Sequence, residues 1–182
     1  ILSEEFLAEV RDLPQKNVAV ELLRKLLNDE IRTRQKKRLV QSRSFEKMLD
    51  ETIHKYKNRA IETVEVIEEL IKLAKELREA DKRGQDLGLS EAELAFYEAL
   101  EVNDSAVMIL GDEVLRKIAH ELVEQVRKNI TIDWTVKESV RAKMRVMVKR
   151  ILIKYNYPPD KQPKAVATIL EQAEILCAEI GG

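Results

Sequence analysis

Apolar residues recur every three or four positions along most of this chain, which is the period of an amphipathic helix. Ser3-Glu4-Glu5 predicts a short helix that ends before Pro14. Asn17 reads as the cap of a second helix, whose inner face carries Val20, Leu23, Leu26, Leu27 and Ile31. A basic stretch, 32–43, follows. From Ser44 the row Phe45, Met48, Leu49, Ile53, Tyr56, Ala60, Val64, Ile67, Leu70, Ile71, Ala74 and Leu77 predicts one long helix near residues 44–80. At ~1.5 Å per residue it would run about 50 Å.

Gly84 and Gly88 interrupt the pattern. Ser90-x-x-Glu93 is a capping box that opens a short helix through Leu100. Residues 103–111 read as a connector. Asp112 caps a helix with Leu115, Ile118, Ala119, Leu122, Val123 and Val126 on one face. Thr135-x-x-Glu138 is a second capping box, for a helix to about Tyr155 that Tyr157-Pro158-Pro159 stops. The last helix runs from about Pro163 to Glu179, on the face Val166, Ile169, Leu170, Ala173, Leu176 and Cys177. The expected fold is therefore all-α. It is an irregular bundle of six to seven helices in a single domain, 1–182, with a possible joint near 82–89.

Composition agrees with that reading. Apolar residues make up 45% and aromatics 4%, with five Gly and four Pro, so strand formers and breakers are both scarce. Lys plus Arg is 32 against 33 acids, which excludes a global basic field for nucleic acid. Cys177 is the only cysteine, so no internal disulfide forms, and a cytoplasmic setting is expected. No apolar run approaches the roughly 18 residues of a membrane helix, and no membrane partner is expected. The chain starts at Ile1, and it is expected to be a piece of a longer multidomain protein.

A search for chemistry finds none. There is no phosphate loop and no nucleophile elbow. A metal-dependent nuclease centre often uses an acid and a lysine two residues apart, and none of the 33 acids is followed two positions later by Lys. Glu51-x-x-His54 shares one helical face, but a di-metal bundle needs two such motifs and two further Glu. His120 is expected at the surface. Cys177 sits in an apolar row and is expected to be buried and structural. No catalytic residue, cofactor site or metal site is assigned to this chain.

Two basic clusters are the candidate contacts. The first is Arg32, Arg34, Lys36, Lys37, Arg38 and Arg43, with no acid among them. Uncompensated charge at this density favours an anionic partner, whether phosphate or an acidic protein surface. A solvated helix C-terminus is the plain alternative. No aromatics interleave, so contact to the backbone of duplex DNA fits better than stacking on a single strand. The second cluster surrounds Arg141, Arg145, Lys149 and Arg150, together with Lys137, Lys143 and Lys154. At ~100° per residue, Val136, Val140, Met144, Met147, Ile151 and Tyr155 form a main apolar stripe, and Ala142, Val146 and Ile153 a second row opposite. A helix apolar on two faces is either central to a bundle or touches a partner, and the central position is the favoured reading. The acidic segments 62–81 and 91–124 can pair with both clusters inside the fold.

Four stretches carry a family resemblance. They are 17–31 (NVAVELLRKLLNDEI), 58–71 (NRAIETVEVIEELI), 87–100 (LGLSEAELAFYEAL) and 133–161 (DWTVKESVRAKMRVMVKRILIKYNYPPDK). Together they resemble the C-terminal helical region of type I restriction enzyme R subunits, from about Asn17 to Glu174. The resemblance implies a parent that joins nuclease and motor domains and that uses ATP and Mg2+ to translocate and cleave duplex DNA. It implies that this tail packs against the motor domains of the same chain and docks them onto the methyltransferase subunit. The family's catalytic motifs lie upstream, so none is carried over to these residues. The remaining alternatives are a duplex-backbone binding module and, least supported, an independent enzyme such as a nucleotide hydrolase.

Overall fold

The computed structural model describes residues 2–130 and 138–181. Among them are eight α-helices and no strand: α1 (Glu4–Arg11), α2 (Lys16–Gln35), α3 (Leu39–Lys57), α4 (Thr63–Asp86), α5 (Glu91–Glu101), α6 (Asp104–Asn129), α7 (Glu138–Lys154) and α8 (Gln162–Gly181). The count exceeds the expected six to seven because the long helix predicted over 44–80 is two helices, α3 and α4. Arg59 takes a left-handed conformation, φ 53°. The amide of Ala60 then donates to the carbonyl of Lys55 and that of Arg59 to Tyr56, which is a Schellman end. Glu62 opens α4 through a reciprocal box with Glu65. The apolar row was misleading at this point: Ala60 and Val64 are exposed, and Val66 takes over the inward position.

Other boundaries also move. α2 starts at Lys16, so Asn17 lies inside it and is not the cap, and its Oδ1 accepts from the Tyr56 hydroxyl at 3.0 Å. α3 begins at Leu39 rather than Ser44. Residues 104–110 are helical, where a connector was expected, and Gly111 (φ 74°, ψ 167°) kinks α6 before the long part that starts at Asp112. The Ser90 box is present in both directions, at 3.2 and 2.8 Å. α7 ends on Asn156 (φ 56°), with Tyr157 N–H bonded to the Leu152 carbonyl, before the prolines are reached. The Thr135 capping box, Val136 and Lys137 lie outside the described residues.

The chain forms two compact units. Residues 1–35 and 41–87 make the first, and 36–40 with 88–182 make the second. In the first, Leu7 and Val10 of α1 join Leu23 and Leu27 of α2, Phe45, Leu49 and Ile53 of α3, and Ile67, Leu70 and Leu77 of α4 in one core. Each buried Leu of this kind costs about 2–5 kcal/mol when cut to Ala.

In the second unit the central element is α5. Its seven consecutive residues Leu94 to Leu100 are all buried, and it packs on α6 and α8. That corrects the expectation that the helix around Arg145 is the central one. α7 packs on α6 and α8 through Met144, Val148, Ile151 and Leu152, while its second apolar row faces solvent. The faces predicted for α6 and α8 are buried, apart from the half-buried Leu170.

Candidate functional site

The α7 helix presents a surface that its own unit leaves open. Val146 and Ile153 are 47% and 62% exposed, and Ala142 is exposed as well. Their spacing through Lys149 is four, three, four, which draws a narrow seam along one side of a helix. At ~100° per residue this seam lies opposite the buried Met144, Val148, Ile151 and Leu152. Lys143 and Arg150 border it on one side and Arg145 on the other.

Two grooves flank α7. The first, about 510 Å³, runs between α6 and α7, with Ala142, Val146, Met147 and Ile151 along it, Lys143 and Arg150 at its edge, and Glu121 and Gln125 on the α6 wall. The second, about 400 Å³, lies between α7 and the start of α8. Arg145 and Lys149 face Pro159, Gln162, Pro163, Val166, Ala167 and Leu170 there. The α6 wall is held in place by Glu121, which accepts from the Tyr155 hydroxyl at 2.7 Å and from Lys154 at 3.0 Å. Burial pushes the Glu121 carboxyl up, and these two hydrogen bonds more than offset it, so it stays below the ordinary carboxylate range.

The ten candidate cations divide by partner. Arg34 is buried and is held by Asp81 at 2.5 and 2.6 Å and by the Leu77 carbonyl at 3.2 Å, all within the first unit. Lys37 pairs with Glu91 at 3.1 Å, and this bond raises the Lys37 pKa. Arg38 is buried against Glu98, and Arg141 pairs with Glu174. Arg43 is not free either. Arg32, Lys36, Arg145, Lys149 and Arg150 are exposed, with no ion pair among the described residues. In the basic stretch 32–43, then, several charges are answered by acids of the same unit. In α7 three candidate charges, with Lys143 beside them, are exposed and have no ion pair among the described residues.

Several residues of this region escaped sequence reasoning. The groove walls Glu121, Gln125 and Gln162 are brought beside α7 only by packing, which also sets Val166 and Leu170, expected simply on the inner face of the last helix, along the second groove. Gln172 is 2% exposed; it accepts from the Leu39 amide at 3.0 Å and donates to the Lys37 carbonyl at 2.8 Å. It thereby pins residues 36–40 to α8 and meets a backbone donor at the start of α3. The one sequence signal for it is a lone amide between Ile169 and Leu176 on an apolar face.

The remaining candidate groups have local roles. His54 is exposed and bonds Asn58 at 2.8 Å. Among the described residues no three or more His, Cys, Asp or Glu side chains are grouped to hold a metal. His120 is exposed and pairs with Glu93 at 2.6 Å. Cys177 is buried, and burial, with the Glu174 charge behind it, pushes the thiol up to about 11. It is therefore protonated and a poor nucleophile at neutral pH. No helix among the described residues is long and apolar enough to cross a membrane.

Comparison with known proteins adds what geometry leaves open. Residues 1–179 match the family model for the C-terminal region of proteins like the type I restriction enzyme HindI endonuclease subunit. The HindI endonuclease subunit of Haemophilus influenzae is 44% identical over all 182 residues, which cover 17% of that relative. A protein of Methanocaldococcus jannaschii named for the MjaIXP type I restriction enzyme endonuclease subunit is 39% identical over 155 residues, 85% of this chain and 15% of that relative. The chain thus spans about a sixth of the length of either relative. No solved structure matches it.

Proposed function

Because the chain belongs to the family of C-terminal regions of HindI-like type I restriction endonuclease subunits, we propose that it is the helical assembly module of such a subunit. In this reading it packs against the motor domains of the same protein and docks them onto the methyltransferase core. The parent would be an ATP-dependent site-specific DNA translocase and endonuclease, working in the cytoplasm. The ATP and Mg2+ of that reaction would be held elsewhere in the parent. The described residues offer no group of three or more His, Cys, Asp or Glu placed to hold a metal, and the sequence has no phosphate loop.

The observation that carries the reading is the open side of α7. Val146 and Ile153 lie exposed in one row on α7 beside Lys143, Arg145 and Arg150, which have no ion pair among the described residues, and an apolar row rimmed by charge is what a contact with another subunit would use. The test is co-purification of the 182-residue chain with the methyltransferase subunit encoded beside it. A stable complex is expected; no association at micromolar concentration overturns the reading.

A second reading, a contact with the duplex DNA backbone, is supported by the five candidate cations that have no ion pair among the described residues. Its signature is affinity that falls steeply with salt, together with loss on replacing Arg32, Lys36, Arg145, Lys149 and Arg150 by Ala. Salt-independent or unchanged binding counts against it. ATP hydrolysis by the chain alone would overturn both readings.

A further inference from the structure

We propose that the exposed seam of α7, with the groove it shares with α6, is the docking site for an acidic amphipathic helix on a partner protein. The proposal rests on the assembly reading for its biological setting, but its argument is local. The seam Ala142, Val146, Lys149, Ile153 has the four-three-four spacing of helix-to-helix pairing. In such pairing, apolar residues meet along the seam and the flanking positions carry charges that select the partner. Here those flanks are Lys143 and Arg150 on one side and Arg145 on the other, and none has an ion pair among the described residues. A partner helix with an apolar row and Glu or Asp at its own flanks matches both features at once.

The alternatives match only one feature each. Duplex DNA answers the cations but leaves Val146 and Ile153 against a hydrated phosphate backbone, where burying them gains nothing. A second copy of this chain, seated seam to seam, answers the apolar row but sets like charges against each other. The α6–α7 groove, about 510 Å³, gives the partner's side chains somewhere to sit, with Met147 and Ile151 beneath them.

The test uses the 182-residue chain and a designed probe, a helical peptide of about three heptads with Leu along its seam and Glu at its flanks. The expected result is binding in the micromolar range, weakened at least tenfold by Val146→Asp and, separately, by the double change K143E/R150E. A peptide with Lys in place of Glu is expected not to bind. Both variants change exposed residues; circular dichroism and the thermal midpoint verify that they fold, and the pair of variants guards against failure of either. The proposal is overturned if the acidic peptide does not bind, or if it binds wild type and both variants equally. It is also overturned if duplex DNA binds, is lost in K143E/R150E and is unaffected by V146D, or if the chain self-associates through Val146. The methyltransferase experiment is run in parallel with the same variants. If the methyltransferase binds wild type and both variants equally, the seam is refuted and the assembly reading stands. Peptide binding without methyltransferase binding refutes the assembly reading and leaves the seam.

Discussion

Arg38 and Glu98 form an ion pair that is buried on both sides, 5% and 6% exposed, between the segment 36–40 and the central helix α5. The Arg38 Nε also donates to Glu98 at 3.2 Å, so the guanidinium meets the carboxylate through two donors. Glu98 is the one charged residue in the buried run of α5. Glu98→Ala is expected to destabilise the chain by up to about 3–5 kcal/mol, because it takes from a buried arginine the carboxylate that it meets through two donors. The double change R38M/E98L, which removes both charges and keeps the volume, is expected to cost far less. Urea unfolding of the two variants checks this, and equal losses would mean that the pair is not coupled.

The left-handed residue that ends α3 gives a second prediction. A non-glycine at φ 53° carries a local steric cost of roughly 1–2 kcal/mol, which glycine avoids. Arg59→Gly is expected to be neutral or stabilising by up to about 1 kcal/mol, and Arg59→Val destabilising, because a β-branched side chain fits this conformation worst. If instead 44–80 were one continuous helix, Arg59→Gly would destabilise by about 1 kcal/mol. Thermal unfolding of both variants separates the two cases by sign.

His120 and Glu93 provide a pH-dependent contact. The hydrogen bond that His120 donates to Glu93, then the Glu93 charge, raises the His120 pKa above its ordinary 6.5. On the Glu93 side, burial pushes the carboxyl up, and the bonds from His120 and the Ser90 amide overcome this and hold it below 4.5. The raised histidine contributes stability that is fully present below pH 6.5 and is lost as pH rises through its folded-state value. The lowered carboxylate contributes stability that is present above pH 4.5 and is lost as pH falls through its own folded-state value. The contact is thus strongest in mildly acidic solution. An NMR titration is expected to place His120 above 6.5 in the native chain and back near that value in Glu93→Gln. A wild-type value at or below 6.5 would refute the contact.

Cys177 should be silent toward thiol reagents in the folded chain. With its pKa pushed up to about 11 and its sulfur buried, both the thiolate and the access are missing at pH 8. Ellman's reagent is expected to titrate the thiol only in denaturant. Stoichiometric reaction within minutes under native conditions would show that the end of α8 opens readily.

The helical class, the inner faces of α6 and α8, the Ser90–Glu93 cap and the break before Asp112 were all legible in the residues. Each depends on a pattern confined to a few turns of chain, either apolar spacing or a cap chemistry three residues long. The division at 58–62 was not legible. It has no Gly or Pro, and the apolar rows of α3 and α4 happen to run in phase across it. The membership of the family was also legible, from stretches of ordinary helical residues rather than from any catalytic motif.

Only the tertiary structure decided which of the basic residues remain available. In sequence, Arg34, Lys37, Arg38 and Arg145 are equivalent cations. Packing sets the first three against Asp81, Glu91 and Glu98, from 47 to 60 residues away, and leaves Arg145 in water. It likewise made α5, not α7, the central helix. A two-faced pattern says that both faces want cover, but not which neighbour supplies it. Local spacing encodes faces; charge neutralisation and burial depend on contacts between residues far apart in the chain, and those exist only once the helices have packed.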